Sequence, residues 1–268
     1  QVTFTPDESE VGMVLSAVPH HENGESKTYN ENTETYYVRD GSKMNLTITP
    51  DNRYYIYDAT VAGVGGALDI LTSSYRYGAT GESWTGEIVV GENITVTVDA
   101  RPIHEVAFTP DHSTVEMVLS EIPPNNNGET KTYPPETGTY YVRDGSKMTL
   151  TIRPDHRYFI YQATVEGENG EMDVLTRDSY SYGERGENWT GVIEEVAGDI
   201  TVTVDTKTIH ELTFTPDDSV IVVTVSNIRH YDETETVTYT AGTGTYYVRE
   251  GAQVDLSISP NSGYALVD

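Results

Sequence analysis

The chain repeats itself. The stretch TYYVRDGSKMNLTITPDNRYYIYDATV at 35–61 returns at 139–165 as TYYVRDGSKMTLTIRPDHRYFIYQATV, with five of 27 positions changed. A third copy starts at Thr245 and reads TYYVREGAQVDLSISPNSGYALVD up to Asp268. The period of about 105 residues is longer than the roughly 20–50 residues of solenoid repeats. It matches a whole small domain instead. The 268 residues therefore divide into repeat 1 (1–104), repeat 2 (105–210) and the N-terminal half of repeat 3 (211–268).

Inside each period the apolar residues recur at every second position, the spacing of strands whose side chains alternate between faces. Phe4, Phe108 and Phe214 sit in short opening strands, Val2–Asp7, Val106–Asp111 and Leu212–Asp217, that end in Thr-Pro-Asp. Val11, Met13 and Leu15 form a second such row, matched by Val115, Met117, Leu119 and by Ile221, Val223, Val225. In the repeated motif, Tyr37-Val38-Arg39 reads as a strand and Asp40-Gly41-Ser42 as a turn. Met44, Leu46 and Ile48 then alternate with polar residues, and Tyr54, Ile56 and Asp58 share a face of the strand after the Pro50 turn. The Gly-rich middles, 62–81 and 166–186, read as loops with one short strand each. The period closes with ITVTVD at 94–99 and 200–205.

No segment carries a helical period. Seven or eight short strands per hundred residues, with turn signals every 8–12, predict an all-β fold of tandem immunoglobulin-like β-sandwich domains. Only 100–104 and 206–210 separate a closing strand from the next opening strand. Such connections are too short to act as flexible tethers. The expectation is a fixed orientation between neighbours and a stiff rod.

With no cysteine, disulfides contribute nothing. Asp and Glu number 43 against 16 Lys and Arg, a net charge of −27 that repels nucleic acid and anionic membrane surfaces. No apolar run approaches the roughly 18 residues of a membrane-spanning helix. Gln1 opens directly into a strand pattern, so the chain reads as a mature or excised segment.

The run YVRDGS, the following LTI-x-PD-x-RY turn and the closing ITVTV together resemble tandem repeats of prokaryotic cell-surface adhesin, stalk or extracellular filament proteins. Those repeats carry a Pro-x-x-Gly-Tyr turn between strands. Pro260–Tyr264 fits it, whereas Arg53 and Arg157 stand at the glycine position in the first two copies. The resemblance implies an extracellular, cell-surface structural module and carries over no catalytic residue.

Candidate chemistry is sparse. The histidines are scattered, and only His104 and His210 recur, each between Ile and Glu at a junction. Asp7, Asp111, Asp217, Asp99 and Asp205 recur and could supply oxygen ligands to Ca²⁺. Lys27, Lys131, Lys43 and Lys147 could in principle form isopeptide crosslinks, but the third copy has Val237 and Gln253 there. Sequons at Asn45, Asn93 and Asn188 are candidate glycan acceptors. Tyr54, Tyr158 and Tyr264 read as structural turn tyrosines whose hydroxyls bond nearby backbone. Tyr36, Tyr37, Tyr54, Tyr55, Tyr57, Tyr75, Tyr77 and Trp84 offer an alternative sugar-stacking platform, although Trp84 and Trp189 read better as core plugs.

The leading expectation is a non-catalytic stalk or filament whose partners are further repeats, copies of itself, glycans or other surface proteins. The rival is an array of carbohydrate-binding modules. The half-length third copy suggests a chain cut from something longer, or one completed by strands from another chain. The repeated motif itself reads as turn formers and core positions, needed to fold its own repeat.

Overall fold

The computed structural model describes all residues except 20–24, 31–32, 75, 125–129, 134–137, 180–182, 231–232 and 266–268. The fold is all-β, with no helix among the described residues. Each of the first two repeats has its own five-stranded sheet. In repeat 1 the order is Glu25–Asn30, Ser9–Ser16, Lys43–Pro50, Trp84–Val89, Leu71–Thr72. In repeat 2 it is Lys131–Tyr133, Ser113–Ser120, Lys147–Pro154, Trp189–Ile193, Leu175–Arg177. Repeat 3 contributes a three-stranded sheet of Glu233–Ala241, Ser219–His230 and Gln253–Pro260.

A single ten-stranded sheet runs through all three repeats opposite these. It is continuous because closing and opening strands are fused. Ile94–Thr109 is one strand, and so is Ile200–Phe214. Residues 100–104 and 206–210 are therefore no connectors; they are strand. Each long strand changes partners midway. Thr95–Pro102 pairs antiparallel with Tyr54–Ala62 of repeat 1, while Ile103–Phe108 pairs antiparallel with Gly138–Arg143 of repeat 2. The two ends of the long strand also pair in parallel: Ile94–Thr97 with Val2–Thr5, and Val106–Thr109 with Ile200–Thr203.

Three apolar clusters lie within the three repeats. The rows of alternating residues fill them as their spacing predicts: Val11, Met13, Leu15, Met44, Leu46 and Ile48 are buried, as are their repeat 2 counterparts. Each such aliphatic or methionine side chain is worth about 1.5–3 kcal/mol on burial. Repeat 3 differs. The segment 211–268 has no counterpart of the Trp84–Val89 strand, and Leu256 and Ile258 stay 54% and 49% exposed.

Each Gly-rich middle holds two short strands, Gly66–Leu68 with Leu71–Thr72 and Gly170–Glu171 with Leu175–Arg177, where one was expected, and two further sequence expectations are corrected. First, Asp58 does not share the face of Ile56. Pairing passes from Asp99↔Asp58 to Ala100↔Ile56, so Tyr57 is the extra residue of a β-bulge. A bulge shifts the parity of the strand, and beyond it Ala59 and Val61 face the core while Asp58 is exposed. Repeat 2 has the same bulge at Tyr161. Second, Tyr37–Arg39 is not a strand. Repeat 1 has only Glu34–Tyr36, paired with Val2–Phe4, whereas Gly138–Arg143 and Gly244–Arg249 run six residues. The longer versions form because a long strand from the preceding repeat offers backbone partners.

Candidate functional site: the junctions between repeats

The residues of greatest chemical interest meet where one repeat passes into the next. The junction between repeats 1 and 2 starts from backbone. Ile103 N–H donates to Arg53 O at 2.6 Å, and Asp144 N–H to Pro102 O at 3.0 Å. The corresponding bonds recur between repeats 2 and 3, from Ile209 to Arg157 O at 2.7 Å and from Glu250 to Thr208 O at 2.9 Å.

On this frame an arginine of the later repeat enters a buried socket of the earlier one. Arg143 donates to Glu82 Oε2 at 2.5 Å, and to the Arg76 and Pro123 carbonyls at 3.1 Å each. Its guanidinium lies 4.6 Å from the centre of the Tyr55 ring. Arg143 and Glu82 are both buried. A buried charge pair tolerates its desolvation only when the remaining hydrogen bonds are satisfied, and here the two carbonyls serve that purpose. The second junction repeats the arrangement. Arg249 pairs with Glu187, donates to Arg229 O at 3.1 Å and lies 4.6 Å from the centre of the Phe159 ring.

The socket depends on a glycine. Gly81 packs so closely on the preceding strand that a Cβ there would lie 2.6 Å from the Tyr55 Cβ; at Gly186 it would lie 2.6 Å from the Phe159 Cβ. Only glycine lets the loop seat the following Glu82 or Glu187 beside the ring. Tyr55 itself is fully buried, facing away from its own core into the junction. Its hydroxyl donates to Asp144 O at 3.1 Å. Burial raises its pKa well above the usual tyrosine range, against the opposing pull of Arg143 and Arg101.

A second clamp sits on the outer side. Arg53 Nε donates to Ile103 O at 3.1 Å, Nη1 to Glu105 Oε2 at 2.9 Å and Nη2 to Asp199 Oδ1 at 3.0 Å. Arg53 thus ties the turn of repeat 1 to repeat 2. The hydrogen bond to Glu105 is the first cause of its raised pKa. At the second junction Arg157 reaches Glu211 Oε2 at 2.5 Å. Both arginines have φ +70, the left-handed region that glycine adopts freely, and Gly263 has φ +90 at the same place in repeat 3. The departure from the Pro-x-x-Gly-Tyr turn therefore has a structural reason: the side chain is needed across the junction.

His104 is buried at the first junction, its Nε2 2.8 Å from Asp144 Oδ1. His210 is exposed, and Glu250, in place of Asp144, accepts from Thr208 N–H at 3.3 Å. Tyr77 of repeat 1 packs on the repeat 2 core and lies beneath Lys131, 5.0 Å away.

The remaining sequence candidates fall elsewhere. Asp7 Oδ2 accepts from Ala100 N–H at 3.3 Å, and Asp111 Oδ2 from Thr206 N–H at 3.5 Å and Thr206 Oγ1 at 3.3 Å. The recurrent Thr-Pro-Asp thus caps the backbone beside each bulge. Among the described residues, no group of three or more His, Asp or Glu side chains converges as a metal site. Lys43 and Lys147 pair with Glu87 and Glu194 at 2.6 and 2.5 Å, and the side chain of Lys27 lies outside the described residues. Asn45 is half-buried in the middle strand of its sheet, Asn93 is exposed, and half-buried Asn188 donates to Asp178 at 3.4 Å. Trp189 is buried in its core and Trp84 packs partly buried against the core of repeat 1. His20, His21 and Tyr75 lie outside the described residues.

The expected hydroxyl-to-backbone bond belongs to Tyr55, not to Tyr54. Tyr158 instead stacks on His112, with ring centres 4.0 Å apart, and Tyr264 is exposed. In the sequence the motif's arginine marks only the end of an expected strand, and nothing local assigns a role to the Gly-Glu pairs at 81–82 and 186–187. Their recurrence before Trp-Thr in both poorly matched middles was the available signal.

No family model matches the chain, and no curated protein matches it either.

Proposed function

We propose that the chain is a section of an extracellular, non-catalytic surface stalk or filament, built from immunoglobulin-like β-sandwich repeats held in stiff series. The observation that carries this reading is the shared long strand, Ile94–Thr109, flanked by the buried Arg143–Glu82 pair. A hinge requires backbone free to rotate. Here the backbone at the passage between repeats is hydrogen-bonded on both sides and pinned by side chains from each repeat. The acidic surface favours solubility of a long array. The exposed Leu256 and Ile258, and the open edge of Gln253–Pro260, fit completion by a strand from further chain or from another copy.

Small-angle scattering tests the series reading. A rod of fixed length, unchanged between low and high salt, supports it; a broad distribution of interrepeat angles sinks it.

The carbohydrate-binding alternative finds less support. A cavity of about 620 Å³ is lined by Tyr57, Trp84, Asp58 and Asp99. Yet the Arg101 guanidinium already covers one face of the Tyr57 ring at 3.4 Å, which takes that face from a sugar. Glycan-array binding abolished by Trp84→Ala would favour the alternative.

A further inference from the structure

The arginine that fills each junction socket is present in repeat 1 as well, where, among the described residues, no carboxylate and no aromatic ring of another repeat meets it. Tyr37, Val38, Arg39 and Asp40 match Tyr141, Val142, Arg143 and Asp144 residue for residue. In repeat 2 that run is inserted into the preceding repeat; in repeat 1 Tyr37 is 81% exposed and Arg39 and Asp40 are exposed. Arg39 is nonetheless posed like its counterparts. It donates to Pro19 O at 2.8 Å, as Arg143 does to Pro123 O and Arg249 to Arg229 O. The bond orients the guanidinium and leaves its outer edge for a partner. Holding such a side chain ready in its bound form lowers the entropic cost of docking.

We propose that the Tyr37–Asp40 face of repeat 1 is a third junction face, and that its occupant is another repeat unit presenting a carboxylate beside an aromatic ring. The two sister faces of the same molecule define that chemistry: Glu82 with Tyr55, and Glu187 with Phe159. A second copy of this segment docking through repeat 3 fits less well. Repeat 3 carries Ala265 where Tyr55 and Phe159 provide the ring, and Gly263 where Arg53 and Arg157 provide the outer clamp. The outer clamp has no acidic receiver on repeat 1 either, since Gln1 and Asn93 stand where Glu105 and Asp199 meet Arg53. The docking is therefore carried by the arginine socket, and it is weaker than the junction between repeats 1 and 2. The proposal rests on the series reading of the protein, which scattering on the unextended chain tests separately.

The experiment compares the full chain with the same chain carrying an extra copy of residues 1–104 fused in front of Gln1, by hydrogen exchange and sedimentation. The expected result is that the amides of 37–40 exchange about tenfold more slowly in the extended chain, as strand pairing forms there. Glu82→Gln placed in the added copy alone should return most of that protection, while melting of the added copy shows that it is folded. Unchanged exchange at 37–40 beside a folded added copy overturns the proposal. Self-association of the unextended chain that Arg39→Ala abolishes would assign the face to a second copy, and overturns it as well.

Discussion

The two junctions share a lock and an outer arginine that pairs with a glutamate and lies over a tyrosine ring, and they differ in several contacts around these. Both have the same backbone docking bonds, a buried arginine–glutamate pair and an aromatic ring under the guanidinium. The first adds the Tyr55 hydroxyl bond, the His104–Asp144 contact and a two-carboxylate receiver for Arg53. The second has Phe159, an exposed His210 and a single carboxylate for Arg157. Two of the five differences in the motif thus fall on or beside the junction: Tyr55/Phe159 faces it, and Asp58/Gln162 borders the bulge. Near-identity of repeats does not make identical joints. The joints differ in a handful of side chains outside either core.

The largest effect should come from breaking the shared lock. Arg143→Ala leaves Glu82 buried and unpaired, and should cost about 3–5 kcal/mol in urea unfolding, with Arg249→Ala costing a similar amount. Equal losses would show that the lock is common to both joints; a much smaller loss for Arg249→Ala would show that the accessory contacts carry the first.

The outer clamps should separate the two joints. Arg53→Gly relieves a left-handed arginine but removes two ion pairs, for a net loss of about 1 kcal/mol. Arg157→Gly relieves the same strain and removes one exposed pair, so the urea midpoint should move less than it does for Arg53→Gly. Both can be read from the same urea series.

Tyr55→Phe copies the second junction into the first and should cost about 1 kcal/mol for the lost hydroxyl bond. It also gives a pH signature. The folded Tyr55 holds its proton above the unfolded value of 10.0. Its contribution is therefore fully present below pH 10 and is lost as pH rises, because the unfolded tyrosine ionises first. Melting temperature should fall above about pH 10, less steeply in Tyr55→Phe. Tyr133, which burial pushes up to about 12, keeps a residual slope between pH 10 and 12 in both proteins. The smallest effect is Arg39→Ala, within about 0.5 kcal/mol in the unextended chain, because the same arginine is exposed in repeat 1.

The period, the all-β character and the core rows are legible in the sequence alone. Those follow from local rules: alternation puts Met44, Leu46 and Ile48 on one face, and Asp-Gly or Pro-Asp turns the chain whatever its neighbours do. Tertiary structure decided what spacing cannot encode. A bulge at Tyr57 exists only relative to a partner strand, so Asp58 fell on the wrong face. Whether 100–104 is connector or strand depends on two repeats supplying partners to opposite ends of it. Within the same Tyr-Val-Arg-Asp run the arginine is exposed at 39 and buried at 143, with identical local sequence, because only in the second case does a preceding repeat supply a carboxylate and a ring. Burial of a charge is a property of what surrounds it, and here the surroundings come from about sixty residues earlier in the chain, Glu82 to Arg143.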